Sequence, residues 1–396
     1  MLYFMNQKKD CTGCTACAAS CPKQCISIEQ DEEGFWYPQA SNACIHCGKC
    51  ERVCPSVNRP VVSDRVQPTA FAALSKDNKI WKRSASGGAF SELCYAWGKK
   101  ESQTAFGGAV WNNLSVEERV IRGYENISPL CKSKYVASYV GDCYSQLKKA
   151  VIDGRRVVFC GTPCQIAGFR NYLGKDYDNL LLIDLICHGV GSPLVFQSCM
   201  GAIGKQFSDQ VIQYEFRAKR KTYEQDYITK VSLASGKQYY LKNDQYMQLF
   251  LSLNALRPSC VSGCHYKNSD RMGDITIADF KGLLDLFPEL AGEEKNYSTI
   301  VANTEKGKAV CDILGQRMKM MPVLVSDIVK YNPLFDHDTN LKTNREAFFE
   351  MYLDNPKSAI HKFTKNAIVT ERGLKRVVYD YLPICIRKIV QKKIRG

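Results

Sequence analysis

From residue 69 onward, short apolar runs of strand length alternate with stretches whose apolar positions recur at helical spacing. The pattern predicts strands over 69–74, 104–111, 156–160, 180–186, 211–216, 227–233 and 274–278. It predicts helices over 88–99, 142–152, 165–172, 193–203 and 244–253. Such alternation points to an α/β or α+β domain with a mixed sheet, while strand order stays unreadable. Ahead of this region, 26–28 reads as a short strand, Asp31-Glu32-Glu33-Gly34 as a turn and 35–37 as a return strand. Pro55, Pro60 and Pro68 mark a connecting stretch. The expected organisation is a first module at 1–60, a linker at 61–68, one α/β domain in two parts at 69–150 and 151–325, and a helical basic tail at 326–396.

The first module contains a repeat. Cys11-x2-Cys14-x2-Cys17-x3-Cys21-Pro22 recurs as Cys44-x2-Cys47-x2-Cys50-x3-Cys54-Pro55, each cysteine displaced by the same interval. A [4Fe–4S] cube takes four thiolates, and C-x2-C-x2-C wraps three of them around one cluster on a tight loop. The fourth cysteine, followed by proline, reaches the other cluster. Cys11, Cys14, Cys17 and Cys54 are therefore expected at one cluster, and Cys44, Cys47, Cys50 and Cys21 at the other. Structural zinc prefers two separated C-x2-C knuckles per ion, which this packing does not match. The module reads as a ferredoxin-type pair of [4Fe–4S] sites.

Twenty cysteines change the picture of the compartment. No stretch approaches the roughly twenty apolar residues of a membrane helix, and the first five residues are too short for a signal sequence. Without export, so many thiols mean metal or redox chemistry and not disulfides, and the expected location is cytoplasmic. The formal charge of +14 favours an acidic partner. Nucleic-acid binding has no motif behind it beyond that charge, and is not expected.

A second set of five cysteines lies in the α/β region: Cys160, Cys164, Cys187, Cys260 and Cys264. The first three fall where a buried strand ends in a Gly-containing turn, and in α/β sheets cofactors gather at the carboxyl ends of strands. Four of the five could converge as cluster ligands. Buried free cysteines are equally common as small hydrophobes, so the spacing leaves both readings open. Cys25, Cys94, Cys131, Cys143, Cys199, Cys311 and Cys385 read as core or surface thiols.

Six motifs in order complete this region. They are Ser84-Ala85-Ser86-Gly87-Gly88-Ala89-Phe90, Ser133-Lys134-Tyr135-Val136 with Gly141-Asp142, and Gly161-Thr162-Pro163-Cys164-Gln165-Ile166-Ala167-Gly168. Then come Asp184-Leu185-Ile186-Cys187-His188-Gly189, Arg257-Pro258-Ser259-Cys260 to Cys264, and Asp274-Ile275-Thr276-Ile277-Ala278-Asp279-Phe280. With these, the chain from about Thr69 to residue 325 resembles the beta-subunit family of coenzyme F-420-reducing hydrogenases and formate dehydrogenases, whose relatives include 7-hydroxymethyl chlorophyll a reductase.

The resemblance implies an FAD beside a third [4Fe–4S] cluster, ligated by Cys164, Cys187, Cys260 and Cys264, with Cys160 a neighbour. It implies flavin contacts from Ser86, Gly87, Gly88, Lys134, Tyr135, Gly161 and Thr162. The chemistry agrees: a pyrophosphate wants close backbone approach, N–H donors at a helix start and a cation. A Ser-Gly-Gly turn is equally an ordinary helix start, and a lone lysine is often just solvated. His188 could donate a proton at the flavin edge or tie down a strand end; Asp279 and Arg271 read more readily as structural ties. The fold class expected is thus a small ferredoxin-like module followed by a mixed-sheet α/β flavin and iron–sulfur domain.

The chain departs from the family pattern at Lys281, where tryptophan is frequent, at Gly191, where proline is frequent, and in the tail. The expected function is an oxidoreductase passing electrons between a hydride carrier or conjugated organic substrate and one-electron carriers. The alternative is a relay subunit of a larger redox complex without its own flavin. Partners would be a ferredoxin-like carrier or an oxidoreductase subunit. From Glu371 to Gly396 eight Lys or Arg face two acidic residues, with apolar positions at helical spacing; such a helix either touches an anionic membrane or packs on its own domain.

Overall fold

A computed structural model describes residues 8–98, 101–219, 228–261, 263–293, 295–337 and 342–369. The basic tail from 371, Cys385 in it, and the expected element ends at 99 and 227 lie outside the described residues.

An eight-stranded mixed sheet organises the chain. Its order is Met318–Val323, Arg65–Ser75, Ser298–Thr304, Ile275–Asp279, Leu180–Leu185, Val157–Gly161, Ala105–Asn112 and Ser115–Arg122. The four strands Ile275–Asp279, Leu180–Leu185, Val157–Gly161 and Ala105–Asn112 run parallel to their neighbours within the set, and the flanking pairs are antiparallel. Consecutive residues of the central strands face opposite sides, so an unbroken apolar run serves two cores at once. Val157, Phe159, Leu180 and Leu182 pack under the helices Cys143–Ile152 and Pro163–Leu173. Val158, Leu181 and Ile183 pack with Ala89–Gly98 and Glu305–Leu314 on the other face. Each such side chain, once buried, contributes about 1.5–3 kcal/mol.

A four-stranded antiparallel sheet, Ile368–Val369, Gln238–Lys242, Ile228–Leu233 and Val211–Glu215, forms a second core with helices Pro193–Gln206 and Gln245–Leu251. Beyond the large sheet come the helices Val325–Tyr331, Arg345–Asp354 and Pro356–Phe363. Among the described residues no helix is long and apolar enough to cross a membrane.

The N-terminal module is a two-stranded hairpin, Ile26–Gln30 with Trp36–Ala40, flanked by the short helices Ala16–Ser20 and Lys49–Arg52. It docks against the helix Pro163–Leu173, where a side chain at Gly168 would place its Cβ 2.8 Å from Cys14 Sγ. Only glycine permits that approach. At the other side, Arg345 pairs with Glu33, and Arg59 donates to Asp270 Oδ2 at 2.9 Å and to His265 O at 2.6 Å.

Candidate redox site

The cysteines of the two N-terminal runs separate by burial. Cys11 and Cys14 are buried, Cys17 and Cys54 partly so, and Cys47 is exposed. Burial holds the Cys17 thiol well above its ordinary pKa, and Cys14, Cys11 and Cys54 add to the rise. Burial likewise pushes Cys14 up to about 12, reinforced by Cys54 and Cys11. Four buried thiols that raise one another's pKa form a costly group unless an adjacent positive centre takes up their charge. Cys21, Cys44, Cys47 and Cys50 lie toward the surface, and Cys21 Sγ is 3.4 Å from Cys25 Sγ.

The second set converges as well. Cys164, Cys187, Cys260 and Cys264 line one small cavity, together with Thr12, Gly13 and Trp36 of the N-terminal module. Burial drives Cys187 up, and Cys260, Cys164 and Cys264 add to it. Cys160 lies outside this cavity, on its neighbour. Burial raises Cys164, with Cys264 and Cys260 acting on it first and Cys14 of the first run also contributing. Among the described residues, no three His, Cys, Asp or Glu side chains close on a point that would clasp a single ion. In a cubane each iron takes one thiolate, so that requirement does not arise.

The neighbouring cavity, of about 330 Å³, opens at the carboxyl ends of the parallel strands. Its lining includes Gly161 and Thr162 after one strand, Leu185 to Val190 after the next, and Ile277 to Asp279. The size is that of a small-molecule site, roughly 300–1,000 Å³. Ser138, Thr162, Gln165, Cys187, Gly189 and Val190 line both cavities, so the two share a wall.

Of the expected flavin contacts, Ser86, Gly88, Lys134, Tyr135, Gly161 and Thr162 line this cavity; Gly87 is not among its lining residues. A Cβ on Gly87 would lie 2.2 Å from Ala73 O and 2.5 Å from Ser298 N, so packing against the sheet requires that glycine. Lys134 Nζ donates to the carbonyls of Cys131 at 2.9 Å and Lys132 at 3.2 Å. Burial lowers its pKa to about 8. Tyr135 stacks on Phe250, with centroids 5.0 Å apart. His188 also lines the cavity, its Nε2 3.2 Å from Phe250 O. Asp184 is a structural tie, as its burial and its bonds to Arg271, Thr276, Met272 N and Gly273 N require. Arg271 belongs to that tie, and Asp279 pairs with Arg217 at 2.5 Å.

One group was not anticipated. Glu118 accepts from Ser138 Oγ at 2.7 Å and Gln165 Nε2 at 3.2 Å through Oε1, while its buried Oε2 has no partner. Burial pushes its carboxyl up to about 7, against the bonds from Ser138 and Gln165 and the charge of Lys134. Gln165 Oε1 accepts from Thr162 N at 2.9 Å, and Thr162 Oγ1 lies 3.2 Å from Cys164 Sγ. A polar chain thus runs from the cavity to the sulfur. The available signal was alternation: Glu118 falls between Val116 and Val120 on the apolar side of its strand.

Residues 154–321 match the family model for the C-terminal part of the coenzyme F420 hydrogenase/dehydrogenase beta subunit. Residues 10–58 match the 4Fe-4S dicluster domain, which gives the N-terminal module two [4Fe–4S] clusters. No curated protein matches the chain. Among solved structures, the F420-reducing [NiFe] hydrogenase complex from Methanosarcina barkeri, in a xenon-derivatised form, contains a chain that is similar at 17% identity and a TM-score of 0.45. The alignment covers 74% of this chain and 94% of that one. A likeness at that level carries no argument about function.

Proposed function

We propose that this chain, which belongs to the coenzyme F420 hydrogenase/dehydrogenase beta-subunit family and carries a dicluster ferredoxin domain in front, is an iron–sulfur flavoprotein oxidoreductase. It links a hydride carrier or a conjugated organic substrate to one-electron carriers. The observation that carries this reading is the shared wall between the 330 Å³ cavity and the four-cysteine cavity, which in turn borders the inner cysteines of the ferredoxin module.

Cys11, Cys14, Cys17 and Cys54 would hold an inner cluster, Cys44, Cys47, Cys50 and Cys21 an outer one, and Cys164, Cys187, Cys260 and Cys264 a third. Ser86, Gly88, Tyr135, Gly161 and Thr162 would line an FAD. Bound in this way, flavin supplies the exchange of electron pairs for single electrons, and the clusters supply one-electron relay. His188 holds a proton at the cavity, and Glu118 orders Ser138 and Gln165 between cavity and cysteines. Lys132 and Lys281 favour an anionic group on the substrate, a deazaflavin or nicotinamide among the candidates. The exposed Cys47 side faces a ferredoxin-like carrier or a partner oxidoreductase subunit.

A relay without flavin has its own support, since Lys134 is committed to backbone carbonyls and Gly87 to the sheet. Anaerobic purification with iron, sulfide and flavin quantification separates the two. The flavoenzyme reading expects about twelve iron and one FAD per chain; about eight iron and no flavin sinks it in favour of the relay.

A further inference from the structure

Arg257 stands where the ferredoxin module meets the α/β domain, its side chain 1% exposed. Nε donates to the Cys11 carbonyl at 2.7 Å, and Nη2 to the Trp36 carbonyl at 2.9 Å. Nη2 also reaches Cys11 Sγ at 3.5 Å. The guanidinium lies over the Tyr37 ring, 4.1 Å from its centroid. Among the described residues no carboxylate pairs with it. A buried cation without a counter-ion is among the costliest arrangements a fold can hold. What faces this one is sulfur, Cys11 on the ferredoxin side and Cys260 on the other.

We propose that Arg257 is a positioning residue that raises the reduction potential of the buried cluster held by Cys11, Cys14, Cys17 and Cys54. The inference rests on the ligand assignment proposed above. Reduction adds negative charge to a cluster, and burial in a low dielectric opposes that addition. A fixed cation and a hydrogen bond to a ligand sulfur favour it. Arg257 supplies both, so the innermost ferredoxin cluster accepts an electron despite its burial. The outer set has water for this purpose: Cys47 is exposed, and the nearby Arg52 donates only to its carbonyl, at 3.2 Å.

The test uses the anaerobically purified full-length protein, titrated with dithionite and followed by electron paramagnetic resonance. Cys47→Ser, at the exposed ligand, marks the outer cluster's wave. In Arg257→Gln the inner wave is expected to move to more negative potential while the outer wave stays. Arg257→Lys, which keeps the charge and loses the fork, gives a smaller shift. An unmoved inner wave in a variant with wild-type iron and sulfide overturns the proposal. An equal shift of both waves does so too, because general loosening moves them together. If Arg257→Gln loses iron, Arg257→Lys decides by the same criterion. Wild-type protein without two ferredoxin-type clusters overturns the ligand assignment instead, and that is read first.

Discussion

The phenol of Tyr266 donates to the carbonyl of Pro55 at 2.7 Å, both groups buried. Tyr266 follows Cys264 by two residues and Pro55 follows Cys54 directly, so one hydrogen bond ties the loops of two cysteine sets together. Arg59 covers the ring, its guanidinium 4.9 Å from the centroid. Position and orientation between two redox sites are thus fixed by a single buried contact.

Tyr266→Phe leaves that carbonyl buried and unpaired, at a cost of about 1–3 kcal/mol. The expected outcome is a lower thermal midpoint at unchanged iron content. A midpoint equal to wild type means that water replaces the phenol.

Gly168→Ala brings a methyl group 2.8 Å from Cys14 Sγ and 3.1 Å from its Cβ. The ferredoxin module then has to back away from the helix Pro163–Leu173, and iron content falls. Gly201→Ala, on the helix Pro193–Gln206 with nothing within 4 Å, is the matched control and stabilises by about 0.5–1 kcal/mol. Equal behaviour of the two variants in iron analysis refutes the close-approach argument.

Cys164→Ala and Cys187→Ala are each expected to remove one cluster's worth of iron, leaving about eight per chain. Cys25→Ala is expected to keep the full content although Cys25 Sγ lies 3.4 Å from Cys21 Sγ. Iron loss from the Cys25 variant makes that residue a ligand in place of Cys21.

Glu118 titrates at about 7 in the folded chain, raised by burial, against about 4.3 when unfolded. Between those values the native state binds more protons than the unfolded one. Its stabilising contribution is full below about pH 4 and is lost as pH rises toward about 7. Glu118→Gln should flatten the thermal midpoint across this window. A profile as steep as wild type assigns the slope to other groups.

Much of the architecture was legible because its cause is local. The central strands near 157–160 and 180–186 are continuous apolar runs, and the ferredoxin repeat carries its spacing openly. Helix starts were harder: the helix expected at 165 begins at Pro163, because proline at a first helical position needs no N–H partner. Strands Ser298–Thr304 and Met318–Val323 were not anticipated. The former is wholly buried yet half polar, its Asn303 satisfied by Gly273 O and Thr276 Oγ1 at 3.1 and 3.0 Å. Pairing of that kind is tertiary and leaves no periodicity. The same holds at the site, where cysteines are visible in sequence but the docking of Arg257 onto Cys11 joins residues 246 apart.

The packing of Cys14 beneath Gly168 also sets an order of construction. The N-terminal module leaves the ribosome first, and its inner cysteines are still open to incoming iron and sulfide until the helix Pro163–Leu173 closes over them. Once closed, that site is sealed for the life of the molecule, while the loop bearing exposed Cys47 stays open to oxidants and to repair. Reconstitution of stripped, still folded protein should therefore refill the outer cysteines and leave the inner ones empty until the chain is unfolded and remade.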